Sequence, residues 1–280
     1  MGERNEDLIL RVEGLCKRYG ETVVLDHLNI AVRRGEKIVL IGPSGTGKST
    51  LLRCIDLIEP VNEGLVFLDG QLVNATENQN CYKQKKLRHT TDARKKMGMV
   101  FQHFNLFPHM TVLKNLMEGP VKVLGLPKKS VRNKAIELLR QIGVEDKQNA
   151  YPSELSGGQQ QRVAIMRAIA MDPILMLFDE VTSALDPQLV QSVLDLMKDL
   201  GNRGMTMLIV THELGFAKDI ADRVAFVDEG TVIEDGSPSR IFTEPSHERT
   251  KHFLKSLLER SAATGTNEPN QISTDHKKEG

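Results

Sequence analysis

The sequence predicts an α/β fold, in which short buried strands alternate with amphipathic helices. Residues 37–41 form a short, largely apolar run that predicts a buried strand, and residues 174–178 are uniformly apolar, as expected of a strand buried on both faces. A helix is predicted from residue 49, after a glycine-rich turn that follows the first run. A second helix, predicted for residues 187–200, carries four apolar residues on one face, at Leu189, Val193, Met197 and Leu200. This alternation is typical of a parallel sheet covered by helices.

Length and composition narrow the class of protein. The 280 residues suffice for one large domain or two small ones with a sizeable core. Lys+Arg and Asp+Glu number 37 each, so the global charge gives no indication of a nucleic-acid partner. Cys16, Cys54 and Cys81 share no metal-ligand spacing, which favours reduced, cytosolic thiols. No apolar run reaches the length of a membrane span and the charged start is unlike a signal peptide, so we expect membrane association only through a partner.

The N-terminal part predicts strands at residues 8–12, 22–25 and 28–32, and a further strand and turn at 64–70. Tyr19 lies in the loop between the first two strands. An aromatic side chain in such a loop can stack on a purine base, although a packed turn residue is the commoner interpretation. Both interpretations of Tyr19 stay open at this point.

A glycine-rich turn joins the run 37–41 to the helix that follows. It fits G-x-x-x-x-G-K-[ST], the pattern of a phosphate-binding P-loop. Its glycines allow backbone N–H groups to face phosphate oxygens, and the helix N-terminus adds unpaired donors. The lysine should reach the β- and γ-phosphates, and the serine hydroxyl should bind Mg²⁺. We therefore predict that a nucleoside triphosphate is bound by Gly42, Pro43, Ser44, Gly45, Thr46, Gly47, Lys48, Ser49 and Thr50.

The middle of the chain is first polar and then helical. Residues 73–96 contain a basic run from Lys83 to Lys96, which favours a solvated face over contact with an anionic membrane surface. A strand at 97–101 ends at Gln102. Helical periodicity follows at 111–124 and 130–141, with Ser130 as the predicted N-cap of the second helix. Between strand and helices lies an apolar cluster of Phe104, Leu106, Phe107 and Met110.

Polar residues stand at the ends of three predicted strands downstream of the P-loop. Asp179 and Glu180 follow five apolar residues, His212 follows the strand 205–210, and Gln102 ends the strand at 97–101. With a P-loop in the same chain, Asp179 is suited to hold Mg²⁺ and Glu180 to polarise an attacking water. His212 is a candidate γ-phosphate contact, and Gln102 could orient the water or Mg²⁺. These residues predict a site that hydrolyses the nucleotide.

With these motifs, the chain resembles the ATP-binding subunits of ABC transporters over residues 8–258. Residues 155–159, Leu-Ser-Gly-Gly-Gln, match the family's signature motif, and residues 183–186 match its D-loop. The resemblance implies a RecA-like P-loop NTPase core with an antiparallel β-subdomain and an α-helical signature subdomain at about 104–168. It implies one ATP-binding domain over 8–260, followed by a polar tail, 261–280, that we expect to be disordered.

The resemblance also implies a mechanism and partners. Two subunits stack head to tail around ATP and Mg²⁺, and the signature motif of one closes on the γ-phosphate held by the other. Closure then drives two membrane permease subunits, which receive solute from an extracytoplasmic binding protein. The chain would thus be a homodimeric ATPase, peripheral on the cytoplasmic face of the inner membrane. Nucleotide contacts implied beyond the P-loop are Tyr19, Ser156, Gly157, Gly158, Gln159 and Asp186.

Four short sequence segments indicate the branch of the family. Residues 99–112, 182–187, 211–217 and 245–250 are similar to bacterial importers of polar amino acids, a subfamily that includes ectoine transporters, and Val181 is similar to the ectoine-like branch. Chromosome-maintenance and DNA-repair ATPases also carry a signature motif, but they insert long coiled coils that this chain lacks. The alternative is a solo cassette that drives a non-import membrane machine, such as lipoprotein release. The sequence does not name the solute.

Overall fold

The computed structural model describes residues 7–74 and 91–263. The predictions for Lys83–Arg88, for Cys81 and for the tail from 264 onward therefore lie outside the described residues. In chain order, the strands are β1 Leu8–Tyr19, β2 Thr22–Arg33, β3 Lys37–Ile41, β4 Glu63–Leu68, β5 Gln71–Leu72, β6 Met97–Val100, β7 Leu175–Asp179, β8 Met207–Val210, β9 Arg223–Asp228 and β10 Thr231–Gly236.

The helices surround two sheets. In chain order they are α1 Lys48–Ile55, α2 Val112–Lys122, α3 Lys128–Gln141, α4 Gly157–Ile169, α5 Pro187–Asn202, α6 Leu214–Ile220, α7 Pro238–Thr243 and α8 Glu248–Ala263. Two short 3-10 turns, Glu145–Lys147 and Pro152–Glu154, precede α4. No helix among the described residues is long and apolar enough to cross a membrane.

The larger sheet has six strands in the order β10-β9-β3-β8-β7-β6. The strands β9, β3, β8, β7 and β6 are all parallel, and β10 pairs antiparallel with β9 at one edge. The smaller sheet, β2-β1-β4-β5, is antiparallel throughout. The predicted α/β class with a P-loop core and an antiparallel β-subdomain is thereby confirmed.

The core is divided by the larger sheet, because successive side chains of a strand point to opposite faces. On β3, Ile38 and Leu40 join a cluster with α1 and the smaller sheet, whereas Val39 and Ile41 join a cluster with α5 and α6. The strands β7 and β8 alternate in the same way. Burial on both faces explains why these strands are almost uniformly apolar in the sequence.

A third apolar cluster holds α2, α3 and α4 together. The prediction that Ser130 caps the second of these helices is wrong. The structure starts α3 at Lys128 with Pro127 as its N-cap, so Ser130 lies within the first turn. Proline fixes its own φ near the value seen at this N-cap and favours a chain entry that does not need a side-chain cap. The hydroxyl side chain at 130 is therefore not needed to begin the helix.

Asp56, the C-cap of α1, makes stability depend on pH. Its side chain is buried, and burial raises the pKa of its carboxyl from 3.8 to about 7, while the nearby Arg94 guanidinium acts to lower it. A raised folded-state pKa means that the stabilising protonated form is lost as pH rises from about 4 through 7. We expect the free energy of unfolding to fall across this range, by roughly 4 kcal/mol at most from this group.

Asp56→Asn should remove this pH dependence and stabilise the fold at pH 8, since the amide cannot ionise. The measurement is denaturant unfolding at several pH values between 4 and 8. The exposed Asp199→Asn variant serves as the control and should keep the wild-type slope. An unchanged slope in Asp56→Asn would show that Asp56 titrates as an ordinary surface carboxyl.

Candidate nucleotide and hydrolysis site

Four of the predicted groups come together at one edge of the larger sheet. The carboxyl ends of β3, β8, β7 and β6 lead to the P-loop, to His212, to Asp179 with Glu180, and to Gln102. Parallel strands in register place their carboxyl ends at the same edge, where ligands bind in open α/β sheets. The register pairs Leu40 with Val210 and Val210 with Asp179. Side chains far apart in the chain thus share one crevice.

The P-loop wraps tightly around the first turn of α1. Gly42 has φ 147°, and a Cβ there would lie 2.0 Å from the carbonyl oxygen of Val227. Gly47, the N-cap of α1, has φ 94°, and a Cβ there would lie 2.6 Å from the carbonyl oxygen of Val24. Only glycine fits these positions, because a side chain would meet backbone that cannot move aside. The neighbouring strands β2 and β9 therefore set the shape of the loop.

Lys48 lies inside the P-loop rather than in solvent. Its side chain is buried, and Nζ donates hydrogen bonds to the carbonyl oxygens of Gly42 at 2.8 Å and Pro43 at 2.6 Å. Burial lowers the pKa of the Lys48 ammonium, and the carboxylates of Glu180, Asp179 and Asp228 act in the opposite direction. The protein thus holds a cation against two carbonyl oxygens, with acidic groups nearby, at the point where phosphate is expected.

Ser49 and Asp179 are in direct contact. The Ser49 hydroxyl donates to Asp179 Oδ1 at 2.6 Å, joining the first turn of α1 to the end of β7. Asp179 is buried, and this burial raises the pKa of its carboxyl, although the hydrogen bond from Ser49 acts to lower it. A hydroxyl and a carboxylate side by side are oxygen donors of the kind that Mg²⁺ prefers. The residues present therefore fit a magnesium ion.

Glu180 has an unusual backbone and a defined partner. Its φ is 48°, in the left-handed region that costs free energy for a residue with a side chain and that is often found at functional sites. Its N–H donates to the Val210 carbonyl at 3.0 Å, and its Oε1 accepts from His212 Nε2 at 2.9 Å. This hydrogen bond lowers the pKa of the Glu180 carboxyl. Glu180 is thus ionised at neutral pH, while burial pushes the pKa of its neighbour Asp179 upward.

The structure adds two residues to the site that sequence reasoning did not assign. Ser183 donates from its hydroxyl to Glu180 Oε2 at 3.3 Å, so both carboxylate oxygens of Glu180 are held. Asp228 is the last residue of β9, and its negative charge acts to raise the pKa of the Lys48 ammonium. The position of Asp228 at the end of a strand is a signal for a site residue, but the sequence does not reveal that β9 pairs with β3 next to the P-loop. Ser183 is brought to Glu180 by the turn that follows β7.

Tyr19 and Gln102 lie at the surface of this region. The Tyr19 ring is 47% exposed, its hydroxyl donates to Glu59, and the Lys17 ammonium lies 4.8 Å from the ring centroid.

Gln102 is exposed and follows Phe101, whose carbonyl accepts a hydrogen bond from Gln161 Nε2 at 3.3 Å. Gln161 belongs to α4. The loop at Gln102 is therefore tied to the helix that begins at the signature motif.

The signature motif forms the N-terminus of α4. The exposed Ser156 is the N-cap, and its side chain accepts from the Gln159 N–H while Gln159 Oε1 accepts from the Ser156 N–H. This reciprocal capping box satisfies the Gln159 N–H and the Ser156 N–H within the motif itself. A Cβ on Gly157 would lie 3.4 Å from Leu185 in the D-loop, so the two motifs are adjacent. Asp186 is the exposed N-cap of α5.

This combination of sheet edge, P-loop and acidic strand end defines a P-loop ATPase. Residues 25–183 match the family model described as ABC transporter. The arginine transport ATP-binding protein ArgV of Corynebacterium glutamicum is 50% identical over 251 residues, which cover 90% of this chain and 99% of the relative. The chain therefore belongs to the ABC transporter family and is an ATPase that binds adenine nucleotide.

Two further comparisons agree with this. The glutamine transport ATP-binding protein GlnQ of Geobacillus stearothermophilus is 50% identical over 242 residues, which cover 86% of this chain and 96% of that protein. Among solved structures, the dimeric post-hydrolysis state of the ATP-binding cassette MJ0796 bound to ADP and Pi aligns with a TM-score of 0.69. Its identity is 32%, with coverage of 82% of this chain and 98% of that one. The predicted family is thus confirmed.

Proposed function

We propose that this chain is the ATP-hydrolysing subunit of an importer for a polar amino acid or a related compatible solute. The observation that carries the proposal is that two hydrogen bonds, Ser49 to Asp179 and His212 to Glu180, lie at the same edge of the larger sheet. The same chain carries the signature motif at the N-terminus of α4. The similarity to ATP-binding proteins of arginine and glutamine transport supports the choice of solute class.

In this proposal the P-loop binds the phosphates of ATP. Lys48 exchanges its bonds to the Gly42 and Pro43 carbonyls for charge-assisted bonds to the β- and γ-phosphates. The ring of Tyr19 stacks on the base, since it is exposed at the end of β1, next to the strand β2 that packs on the P-loop through Val24. Ser49, Asp179 and Gln102 would hold Mg²⁺, which neutralises phosphate charge when bound. The backbone amides of 44–50 supply the remaining donors.

Glu180 acts as the base that accepts a proton from the attacking water. The lowered pKa keeps its carboxylate ionised, and the bonds from His212 and Ser183 fix its orientation. His212 also lies within reach of the γ-phosphate side of the P-loop, because it shares a cavity of about 630 Å³ with Gly42, Pro43 and Ser44. His212 therefore links Glu180 to the phosphate that the activated water attacks.

The site is completed by a second copy of the chain in head-to-tail arrangement. Ser156, Gly157, Gly158 and Gln159 form a helix N-terminus that carries the hydroxyl of the exposed Ser156, and such a terminus is suited to a γ-phosphate. Asp186, in the adjacent D-loop, would face the same interface. The dimeric state of the cassette MJ0796 supports this assembly. Hydrolysis then separates the two copies and resets the transporter.

The permease contact is proposed at the loop that follows Gln102. Phe104 and Leu106 are partly buried, whereas Phe107 is 41% exposed. The fully buried Asn115 holds this loop, accepting from the Phe107 N–H at 2.8 Å and donating to the Phe107 carbonyl. The Arg167 guanidinium lies 5.3 Å from the Phe107 ring. An aromatic ring presented on a rigid loop is suited to receive a short amphipathic helix of the membrane subunit.

Phe107→Asp should abolish transport while the isolated subunit keeps its ATPase activity, since a charge at this position prevents burial of an apolar helix. The measurement pairs solute uptake by the reconstituted complex with ATP turnover by the free subunit. Val123→Asp, at a residue 49% exposed in the same helical region, is the matched control and should transport normally. Equal loss of stability and both activities in Phe107→Asp would instead indicate core packing.

The proposal assigns residues 8–260 to one ATP-binding domain, with a helical subdomain at about 104–168, and 261–280 to a polar tail, of which residues 261–263 still belong to α8. It places the chain on the cytoplasmic face of the inner membrane, bound to two permease subunits that receive solute from an extracytoplasmic binding protein. Affinity purification of the native complex, followed by identification of its subunits, tests this. Recovery of a lipoprotein-release complex without a solute-binding protein would favour the alternative function.

A further inference from the structure

The pairing of β1 with β2 contains a bulge that gathers three side chains of different chemistry. Leu15 pairs with Leu28 and Lys17 with Leu25, so two residues, Asp26 and His27, lie opposite Cys16 alone. His27 has φ 45°, a left-handed conformation that strains a residue with a side chain. The bulge turns one thiol, one carboxylate and one imidazole toward a common point, with ligand atoms all within 4.8 Å of one another.

From this geometry we infer a binding site for one transition-metal ion of the Zn²⁺ type, formed by Cys16, Asp26 and His27. The site lies in the antiparallel sheet and is separate from the Ser49–Asp179 pair that is proposed for Mg²⁺. It goes beyond the proposed transport function and does not depend on it.

The donor set selects the class of metal. A thiolate and an imidazole are preferred by Zn²⁺ and related ions, whereas Mg²⁺ prefers oxygen ligands throughout. In a tetrahedral zinc site, donor atoms are about 3.3–3.8 Å apart, so the Asp26 and His27 donors, now 2.7 Å apart, must separate slightly while the more distant donors close by about 1 Å. Three protein ligands leave the fourth position for water. The two negative charges of thiolate and carboxylate would balance a divalent cation.

The surroundings hold the donors in place and leave the site open to solvent. The side chains of Asp26 and His27 are 61% and 72% exposed, and they contact each other at 2.7 Å between Oδ1 and Nδ1. Cys16 lies beneath them, and its Sγ accepts from the His27 N–H at 3.4 Å. Asn29 fixes the bulge from both strands, donating to the His27 carbonyl at 2.8 Å and accepting from the Gly14 N–H at 2.9 Å.

The bulge also adjoins the nucleotide site. The Asp26 N–H donates to the Gly230 carbonyl at 3.0 Å, in the turn after β9. Two residues before Asp26, the Val24 carbonyl lies where a side chain on Gly47 would clash. A metal bound at Cys16, Asp26 and His27 would therefore immobilise the part of β2 that packs on the P-loop. The full chain should unfold at a higher temperature with metal than without.

The test is titration of the tag-free, reduced chain with Co²⁺ alone, followed by displacement with Zn²⁺. We expect one equivalent of Co²⁺ with a sulfur-to-cobalt charge-transfer band, and a rise in the unfolding temperature on addition of Zn²⁺. Cys16→Ser should lose the band, because the hydroxyl keeps an acceptor for the His27 N–H but is a poor ligand. His27→Gly should bind Co²⁺ at least about 10-fold more weakly, since even the loss of a partner outside the ligand shell costs that much.

His27→Gly is the decisive variant because glycine adopts the left-handed conformation without strain, so the fold is retained even where Cys16→Ser is destabilised. Cys81→Ser and His252→Asn are controls and should bind Co²⁺ as the wild type does. Equal Co²⁺ affinity in the wild type and His27→Gly would overturn the proposal, as would a charge-transfer band that disappears only in Cys81→Ser.

Discussion

The Glu180→Gln variant is expected to bind ATP normally and to hydrolyse it about 10²- to 10⁴-fold more slowly, the range associated with loss of a general base. Glutamine keeps the shape of the side chain and can still bond to His212 and Ser183, which hold Glu180 at 2.9 and 3.3 Å. It lacks the negative charge that attracts the proton of water. The loss should therefore fall on kcat and leave nucleotide affinity intact.

The same variant should accumulate a stable dimer in the presence of ATP. With hydrolysis blocked, the nucleotide stays between the P-loop of one copy and the signature motif of the other, at Ser156. Gel filtration with and without ATP measures this, alongside phosphate release. Asp179→Asn should behave differently and form little dimer, because its contact with Ser49 is proposed to hold Mg²⁺.

Glu213→Gln is the matched control, since Glu213 is a half-buried carboxylate directly after His212 that makes no contact in the proposed mechanism. It should turn over ATP at the wild-type rate. If Glu180→Gln also hydrolyses ATP at that rate, another group supplies the base and His212 becomes the first candidate. The assignment of the chain to the ABC transporter family would stand in either case.

Lys48→Ala should leave the fold intact and weaken nucleotide binding by about 10- to 150-fold, the equivalent of a lost hydrogen bond to a charged group worth roughly 1.5–3 kcal/mol. The ammonium is buried among the Gly42 and Pro43 carbonyls and is the cation that the P-loop provides for phosphate. Alanine removes both the charge and its donors. Equilibrium binding of a fluorescent ATP analogue measures the change.

Thermal unfolding with and without ADP provides the second measurement for Lys48→Ala. A ligand that binds only the folded state raises the unfolding temperature, and this rise should largely disappear in the variant. Lys198→Ala, at a surface lysine paired with Asp219 at 2.7 Å, is the control and should keep the full rise. Wild-type nucleotide affinity in folded Lys48→Ala would contradict the P-loop assignment.

Local motifs made much of the site predictable. The P-loop pattern specifies its own structure, because glycines at 42 and 47 are needed for the tight turn and a helix must follow to supply amides. Asp179 was predictable from the apolar run before it, since β7 is buried on both faces. These predictions depend on neighbours in sequence. The family resemblance then indicated which distant motifs belong to the same site.

The β1–β2 region was less predictable, because its strands contain several register shifts. Bulges interrupt the alternation of apolar and polar residues on which strand prediction depends. The structure extends β1 to Tyr19, well beyond the predicted run at 8–12, and joins the predicted runs 22–25 and 28–32 into one strand that ends at Arg33. It also brings Cys16 to His27, although the spacing of the cysteines had given no metal-ligand pattern.

By itself, the sequence determined that this chain is a P-loop ATPase of the ABC transporter family, since a short motif with its flanking strand and helix is enough to specify phosphate binding. The tertiary structure alone decided how the groups act on one another. It set the left-handed turn and the His212 and Ser183 contacts of Glu180, the influence of Asp228 on Lys48, and the burial of Asp56. The physical reason is that charge, burial and hydrogen bonding depend on distances in space, which the order of strands in the sheet determines.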